Sequence, residues 1–96
     1  MARVIRSERA QQDLEEILDY LDSHSTQAAD RFAIKFDQTC DLHATYPQIG
    51  AGAAEYAPGL RHFLVWNYAV FYRPVEGGIE LIRIIHGARD IPKLFE

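Results

Sequence analysis

The sequence predicts one α+β domain of order β-α-α-β-β-β, in which a two-helix antiparallel hairpin packs on one face of a small antiparallel sheet. Three observations lead to this fold class. The chain has 96 residues, enough for one hydrophobic core but not for two. Apolar residues recur at helical spacing in the first half and form β-like runs in the second half. Short breaks join the neighbouring elements. A single domain therefore spans residues 1–96.

The chain begins with a short strand and an amphipathic helix. Residues 2–6 are β-leaning and predict the first strand. Ser7 is a suitable N-cap, and Glu8 lies in the first turn, where the helix dipole favours an anion. The apolar positions that follow form one helical stripe: Ala10, Leu14, Ile17, Leu18 and Leu21. The pattern predicts a helix over residues 8–22 with an acidic outer face.

A second helix follows after a polar break. Ser25 or Thr26 can cap it, and Pro47 ends it. Its apolar positions also share one face: Ala29, Phe32, Ala33, Phe36 and Cys40. The predicted helix covers residues 27–45, and the short break predicts an antiparallel hairpin.

The second half of the chain is β-like. Residues 48–59 contain three glycines and one proline and predict a loop. Three strands are predicted after it, over residues 60–66, 68–75 and 79–85. Asn67 and the tight turn at 76–78 join them into an antiparallel meander. The tail, 86–96, is predicted to be irregular.

Strict alternation assigns the strand residues to two faces. Tyr68, Val70 and Tyr72 share one face of the middle strand, whereas Leu81, Arg83 and Ile85 oppose Ile82, Ile84 and His86 in the last. The predicted core is Leu14, Leu18, Leu21, Phe32, Phe36, Val70 and either Leu81 or Ile82. Two helices cover only one face of the sheet. The other face is therefore expected to be partly apolar and exposed, as a partner surface is.

Composition and charge exclude several classes of protein. The net charge is −4, and the first 48 residues carry five basic and nine acidic groups. An acidic chain is a poor general binder of nucleic acid. No apolar run approaches the ~20 residues of a membrane span, and the N-terminus has no apolar signal segment. One cysteine excludes an internal disulfide, so a reducing cytoplasm is expected.

Few residue patterns indicate catalysis or metal binding. Cys40 and His43 have the spacing of half a metal site, but no second ligand pair accompanies them, so a core cysteine is favoured. His62 and His86 both lie on β segments, where they could converge as the general acid and base of a nuclease.

The arginines of the second half allow two interpretations. Arg61, Arg73 and Arg83 could form a basic sheet face. Alternatively, Arg61 and Arg83 pair with Asp90 or Glu80 as structural ion pairs, which we favour.

The second half also resembles a known family. Arg61 enters the first meander strand, and Tyr68 and Tyr72 stand in an aromatic-x-aliphatic-x-Tyr strand. The closing motif is Arg83-Ile-Ile-His-Gly-Ala-Arg-Asp90. In this order, and after a helix hairpin, these features resemble the ParE branch of the RelE/ParE superfamily. Its members are the toxins of bacterial type II toxin–antitoxin modules of the plasmid-stabilisation type.

The superfamily contains two chemistries, and the resemblance favours one. RelE-like members cleave messenger RNA on the ribosome, which requires cations and proton-transfer groups. This chain has Ala69 where RelE carries an arginine and Phe95 at the C-terminal tyrosine position, and only Arg89 matches the basic set clearly. The resemblance therefore implies a non-enzymatic, ParE-like inhibitor of DNA gyrase, without a cofactor or metal. An endoribonuclease and an inactive, antitoxin-binding relative are the alternatives.

The resemblance also implies partners and a site. A ParD-like antitoxin is expected to fold a disordered C-terminal segment onto the toxin, against the grooves beside the helix hairpin or the exposed sheet face. We expect no membrane contact and no sequence-specific nucleic-acid binding by the toxin alone. The contact patch for the target is expected at the open end of the meander and the tail, with these residues: Arg61, Arg83, His86, Arg89 and Phe95.

Overall fold

Residues 2–87 are described in a computed structural model. The elements are β1 (Arg3–Arg6), α1 (Glu8–His24), α2 (Thr26–Thr45), β2 (Ala51–Gly52), β3 (Arg61–Val65), β4 (Tyr68–Val75) and β5 (Gly78–His86). The two helices pack against one face of a five-stranded sheet. The predicted α+β fold class is therefore confirmed. The two-residue strand β2 lies within the segment that the sequence predicts as a loop.

Both helices begin where the sequence predicts a cap. The Ser7 hydroxyl oxygen accepts a hydrogen bond from the Ala10 amide at 3.0 Å. The Ser25 hydroxyl oxygen accepts from the Ala28 amide at 3.2 Å, and the Ser25 amide donates to the carbonyl of Leu21. Ser25 thus ends α1 and begins α2, so the hairpin needs no further linker.

The sheet has the strand order β1-β5-β4-β3-β2. Strands β3 to β5 pair antiparallel, as predicted, and β2 adds to β3 in the same sense. Strand β1 pairs parallel with β5. The sheet is therefore mixed at one edge. Two backbone bonds fix the register of β1, from the Arg3 amide to the Gly77 carbonyl and from the Ser7 amide to the Leu81 carbonyl.

A β-bulge interrupts the pairing of β4 with β5. Tyr72 pairs with Leu81 and Phe71 pairs with Arg83, which leaves Ile82 as the extra residue. Leu81 and Ile84 consequently contribute to the same core, and strict alternation is wrong beyond this point. The bulge also settles the choice between Leu81 and Ile82, because Leu81 lies in the core beneath the helices and Ile82 packs on the other face.

The main core lies between the helices and the sheet. It contains these predicted residues: Leu14, Phe32, Phe36, Val70 and Leu81. Leu18 and Leu21 are partly buried against it. The sequence therefore predicts this core correctly, except that two leucines lie at its edge.

The opposite face of the sheet is only partly covered. The loop before β3 folds over it, and a second cluster forms around Ala53, Leu60 and Phe71. Leu64 and Trp66 stay 62% and 46% exposed. Part of this face is therefore apolar and open among the described residues, as predicted.

Cys40 is a buried core thiol, which leads to a test of its reactivity. Burial, followed by the charge of Asp37, raises the pKa of Cys40 from 9.0 to about 12. The folded state thus disfavours the thiolate, which is the reactive form. We expect a disulfide reagent at pH 8 to label Cys40 only when urea unfolds the chain.

The same pKa predicts how stability depends on pH. A group with a raised pKa contributes stability that is full below its unfolded pKa and declines above it. The stability that Cys40 contributes should decline as the pH rises from about 9 towards 12. Over this pH range, the free energy of unfolding of a Cys40→Ala variant should therefore decline less than that of the wild type. In the labelling test, modification of Cys40 in the folded protein as fast as that of a free thiol would contradict its assignment as a buried core residue.

Candidate functional site

Arg61 secures the loop that precedes β3. Its guanidinium donates to the carbonyl oxygens of Gln48 and Gly50 at 3.0 and 2.8 Å. The Tyr72 hydroxyl supports the same segment by donating to the Pro47 carbonyl and accepting from the Gly50 amide. Burial raises the pKa of Tyr72, so the hydroxyl keeps the proton that it donates. These contacts give Arg61 a structural role.

Arg83 forms a buried ion pair with α1. Its Nε and a terminal nitrogen donate to the two carboxylate oxygens of Asp13 at 2.8 and 3.3 Å. The Ile84 amide donates to the same carboxylate at 2.9 Å, and the two charged side chains are 12% and 6% exposed. Arg83 is thus in a structural ion pair, as favoured, but with a different partner from those predicted. Glu80 lies 4.0 Å from Arg73 instead, and Asp90 lies outside the described residues.

The structure separates the predicted contact residues. His86 ends β5 opposite Tyr68, whereas Arg61 lies opposite Tyr72. Tyr68 and Tyr72 are four residues apart in β4, so the backbone positions that face His86 and Arg61 are about 13 Å apart along that strand. Arg83 lies against α1, while Arg89 and Phe95 are outside the described residues. Among residues 2–87, only His86 remains at the end of the meander where the patch is predicted.

The open face of the sheet contains a cavity of about 590 Å³. Its walls are largely aromatic and aliphatic and include Phe71, Leu64 and Trp66. His62 and His86 both line it, so they share one surface. The His62 ring stacks on Phe71 with 5.5 Å between centroids, and its Nδ1 is buried without a hydrogen-bond partner among the described residues. A bound group could satisfy that nitrogen.

Trp66 is a candidate that sequence reasoning missed. The sequence predicts Trp66 in a strand, but Trp66 and Asn67 form the two-residue turn between β3 and β4. Its φ is +54°, a left-handed conformation that is uncommon for a large side chain. Its ring packs edge-on against Phe32 at 5.2 Å and is still 46% exposed. Two-residue hairpin loops favour a positive φ at their first position, and Trp66 occupies that position here.

Residues 2–87 contain neither a candidate metal site nor a candidate membrane-spanning helix. No group of three or more His, Cys, Asp or Glu side chains there could hold a metal ion. Within the same residues, no helix combines the length and apolar character needed to cross a membrane.

Comparison with known proteins gives concordant matches. The family described as "ParE toxin of type II toxin-antitoxin system, parDE" matches residues 4–91. "Toxin RelE2" of Caulobacter vibrioides (strain ATCC 19089 / CIP 103742 / CB 15) is 36% identical over 90 residues, which cover 93% of this chain and 99% of that protein. The solved structure "Chromosomal ParDE TA system from P. aeruginosa" superposes with a TM-score of 0.71 at 21% identity, over 90% of this chain and 96% of the other. At that identity, the superposition establishes the likeness of fold.

Proposed function

The chain belongs to the ParE toxin family of type II toxin–antitoxin systems, and from that premise we propose that it is a non-catalytic protein inhibitor of DNA gyrase. Membership confirms the resemblance in the sequence and supports an antitoxin as partner. We propose a ParD-like antitoxin and action in the bacterial cytoplasm. The choice of gyrase over the ribosome as the target depends on the contacts of the arginines on the sheet and on the net charge of the chain.

The observation that carries the proposal is that the arginines on the sheet already have hydrogen-bond or ion-pair partners within the protein. Arg61 donates to loop carbonyls, Arg73 lies beside Glu80 and Arg83 is paired with buried Asp13. RNA cleavage would need cations directed at the developing charge on the phosphate. The three arginines of β3 to β5 already have other partners. The net charge of −4 also disfavours binding to ribosomal RNA.

A ribosome-dependent endoribonuclease is the second candidate. Its support is the shared cavity of His62 and His86, which are residue types that could transfer protons. The Caulobacter relative is also named RelE2. Under this alternative, His62→Ala and His86→Ala would each reduce RNA cleavage by about 10²-fold or more.

Two purified reactions separate the candidates. The chain is added to a gyrase supercoiling assay and, separately, to a coupled translation reaction in which the messenger RNA is mapped for cuts. The gyrase proposal expects loss of supercoiling with intact messages. Cut messages with active gyrase would overturn it in favour of the nuclease, and no effect in either assay would favour the inactive relative.

Toxicity should depend on the end of the sheet and the tail. We propose that His86 and Trp66 contribute to the target-contact patch together with Arg89 and Phe95, because buried aromatic and arginine side chains dominate many interfaces. Arg89→Ala, or deletion of Lys93–Glu96, should abolish toxicity on induction while leaving the fold and antitoxin binding intact.

The control for this prediction is Arg31→Ala, which removes an exposed arginine from α2. Circular dichroism and antitoxin co-purification must show that each variant is folded. Full toxicity of both folded tail variants would place the patch elsewhere.

A further inference from the structure

A groove of about 420 Å³ lies between α1 and the ends of β4 and β5. Ile17 and Ile84 form its apolar floor. Tyr20 lies on the α1 side and is 58% exposed. Tyr68 and His86 lie on the strand side, where their rings meet edge to face with 5.3 Å between centroids. The groove thus has an apolar base and aromatic walls.

Two carboxylates line this groove, and only one of them has partners. Asp13 is bonded to Arg83 and to the Ile84 amide, so its charge is compensated. Glu16 is exposed and makes no hydrogen bond or ion pair with any residue of the described part of the chain. Tyr20 lies one helical turn after Glu16, on the same side of α1. An unpaired carboxylate beside an exposed aromatic face suits a cation with an apolar stem.

The helix α1, which forms one side of the groove, is acidic. Its residues 8–24 carry six Asp and Glu side chains and one Arg side chain. Such a surface attracts a basic partner and repels an acidic one. The groove is larger than a single side chain needs, so the apolar neighbours of a basic residue would also contact it.

We propose that this groove docks an amphipathic segment of a partner protein by one arginine side chain, with the guanidinium against Glu16 and its stem between Tyr20 and Tyr68. The inference rests on the proposed function only in taking that partner to be the antitoxin. It does not depend on whether gyrase or the ribosome is the target.

The test is a titration of the ¹⁵N-labelled full chain with a short capped amphipathic peptide that contains one arginine. A second peptide replaces that arginine with citrulline, which has nearly the same shape but no charge. We expect the arginine peptide to shift the amide signals of residues 16–20, 68 and 84–86. The citrulline peptide should bind about five-fold more weakly or worse, as loss of an ion pair and a cation–π contact implies.

Matched variants separate the groove from general attraction to an acidic surface. Glu16→Gln should weaken binding of the arginine peptide by about five-fold and leave citrulline binding unchanged. Asp22→Asn makes the same change of charge at another exposed position of α1 and should have no such effect. Equal binding of the two peptides, equal effects of the two variants, shifts centred elsewhere, or no shift at millimolar peptide would each overturn the proposal. None of these outcomes bears on the gyrase assay.

Discussion

Replacing Asp13 with alanine should destabilise the domain by about 3–5 kcal/mol, because it leaves the guanidinium of Arg83 buried without its counter-charge. The carboxylate accepts two bonds from Arg83 and one from the Ile84 amide, and its side chain is 6% exposed. These bonds tie α1 to the bulged part of β5. A domain of this kind has roughly 5–15 kcal/mol of total stability, so the loss would populate the unfolded state.

Urea unfolding followed by circular dichroism measures this effect. Asp19→Ala removes an exposed carboxylate from the same helix and should change the free energy of unfolding by less than about 0.5 kcal/mol. Combining Asp13→Ala with Arg83→Met should recover part of the loss, since it removes the unpaired charge. A cost below about 1 kcal/mol for Asp13→Ala would show that the pair contributes little.

The position of Asp13 illustrates a limit of sequence reasoning. Ala10, Leu14 and Ile17 predict the buried side of α1, and the structure confirms that side. Asp13 lies on the same stripe by spacing, although the sequence analysis predicts that the acidic side chains of this helix lie on its outer face. A buried charge is intelligible only together with its partner, and Arg83 lies 70 residues away in the sequence.

The sheet shows the same contrast between local and distant information. Two-residue periodicity and turn residues predict β3 to β5, because both signals are local. The parallel pairing of β1 with β5 depends on the path that the chain takes through the helix hairpin. No local sequence pattern predicts that path. The extra residue Ile82 is invisible to alternation, since every residue around it is compatible with a strand.

The sequence predicts two candidate contact surfaces, the open sheet face and the end of the meander. In the structure, His62 and His86 line one cavity on the open face. The sequence also grouped Arg61 and Arg83 with His86, whereas their hydrogen bonds direct them to the loop and to α1. Arginine is equally suited to a structural pair and to a binding surface, so its residue type alone could not separate these roles.

The second large effect should come from Gly78→Ala. Gly78 is buried in β5, between Arg3 of β1 and Val75 of β4. A Cβ atom there would overlap the carbonyl oxygen of Arg3 and lie 2.7 Å from both its carbonyl carbon and its nitrogen. These are backbone atoms, so no side-chain rotation relieves the clash. The strand β1 must move away from β5.

The expected cost is about 3 kcal/mol, at the upper end of what overpacking usually causes, because a whole edge strand loses its register. Hydrogen exchange should detect the displacement directly. The amides of Arg3 and Ser7, which donate to Gly77 and Leu81, should lose protection while those of β3 and β4 keep theirs. Gly52→Ala is the matched control, since the Cβ atom it would add has no heavy atom within 4 Å outside Gly52 and its two chain neighbours. The prediction is wrong if both variants unfold at the wild-type urea midpoint and the amides of Arg3 and Ser7 stay protected. That result would show that β1 accommodates a methyl group and that Gly78 does not fix the position of β1.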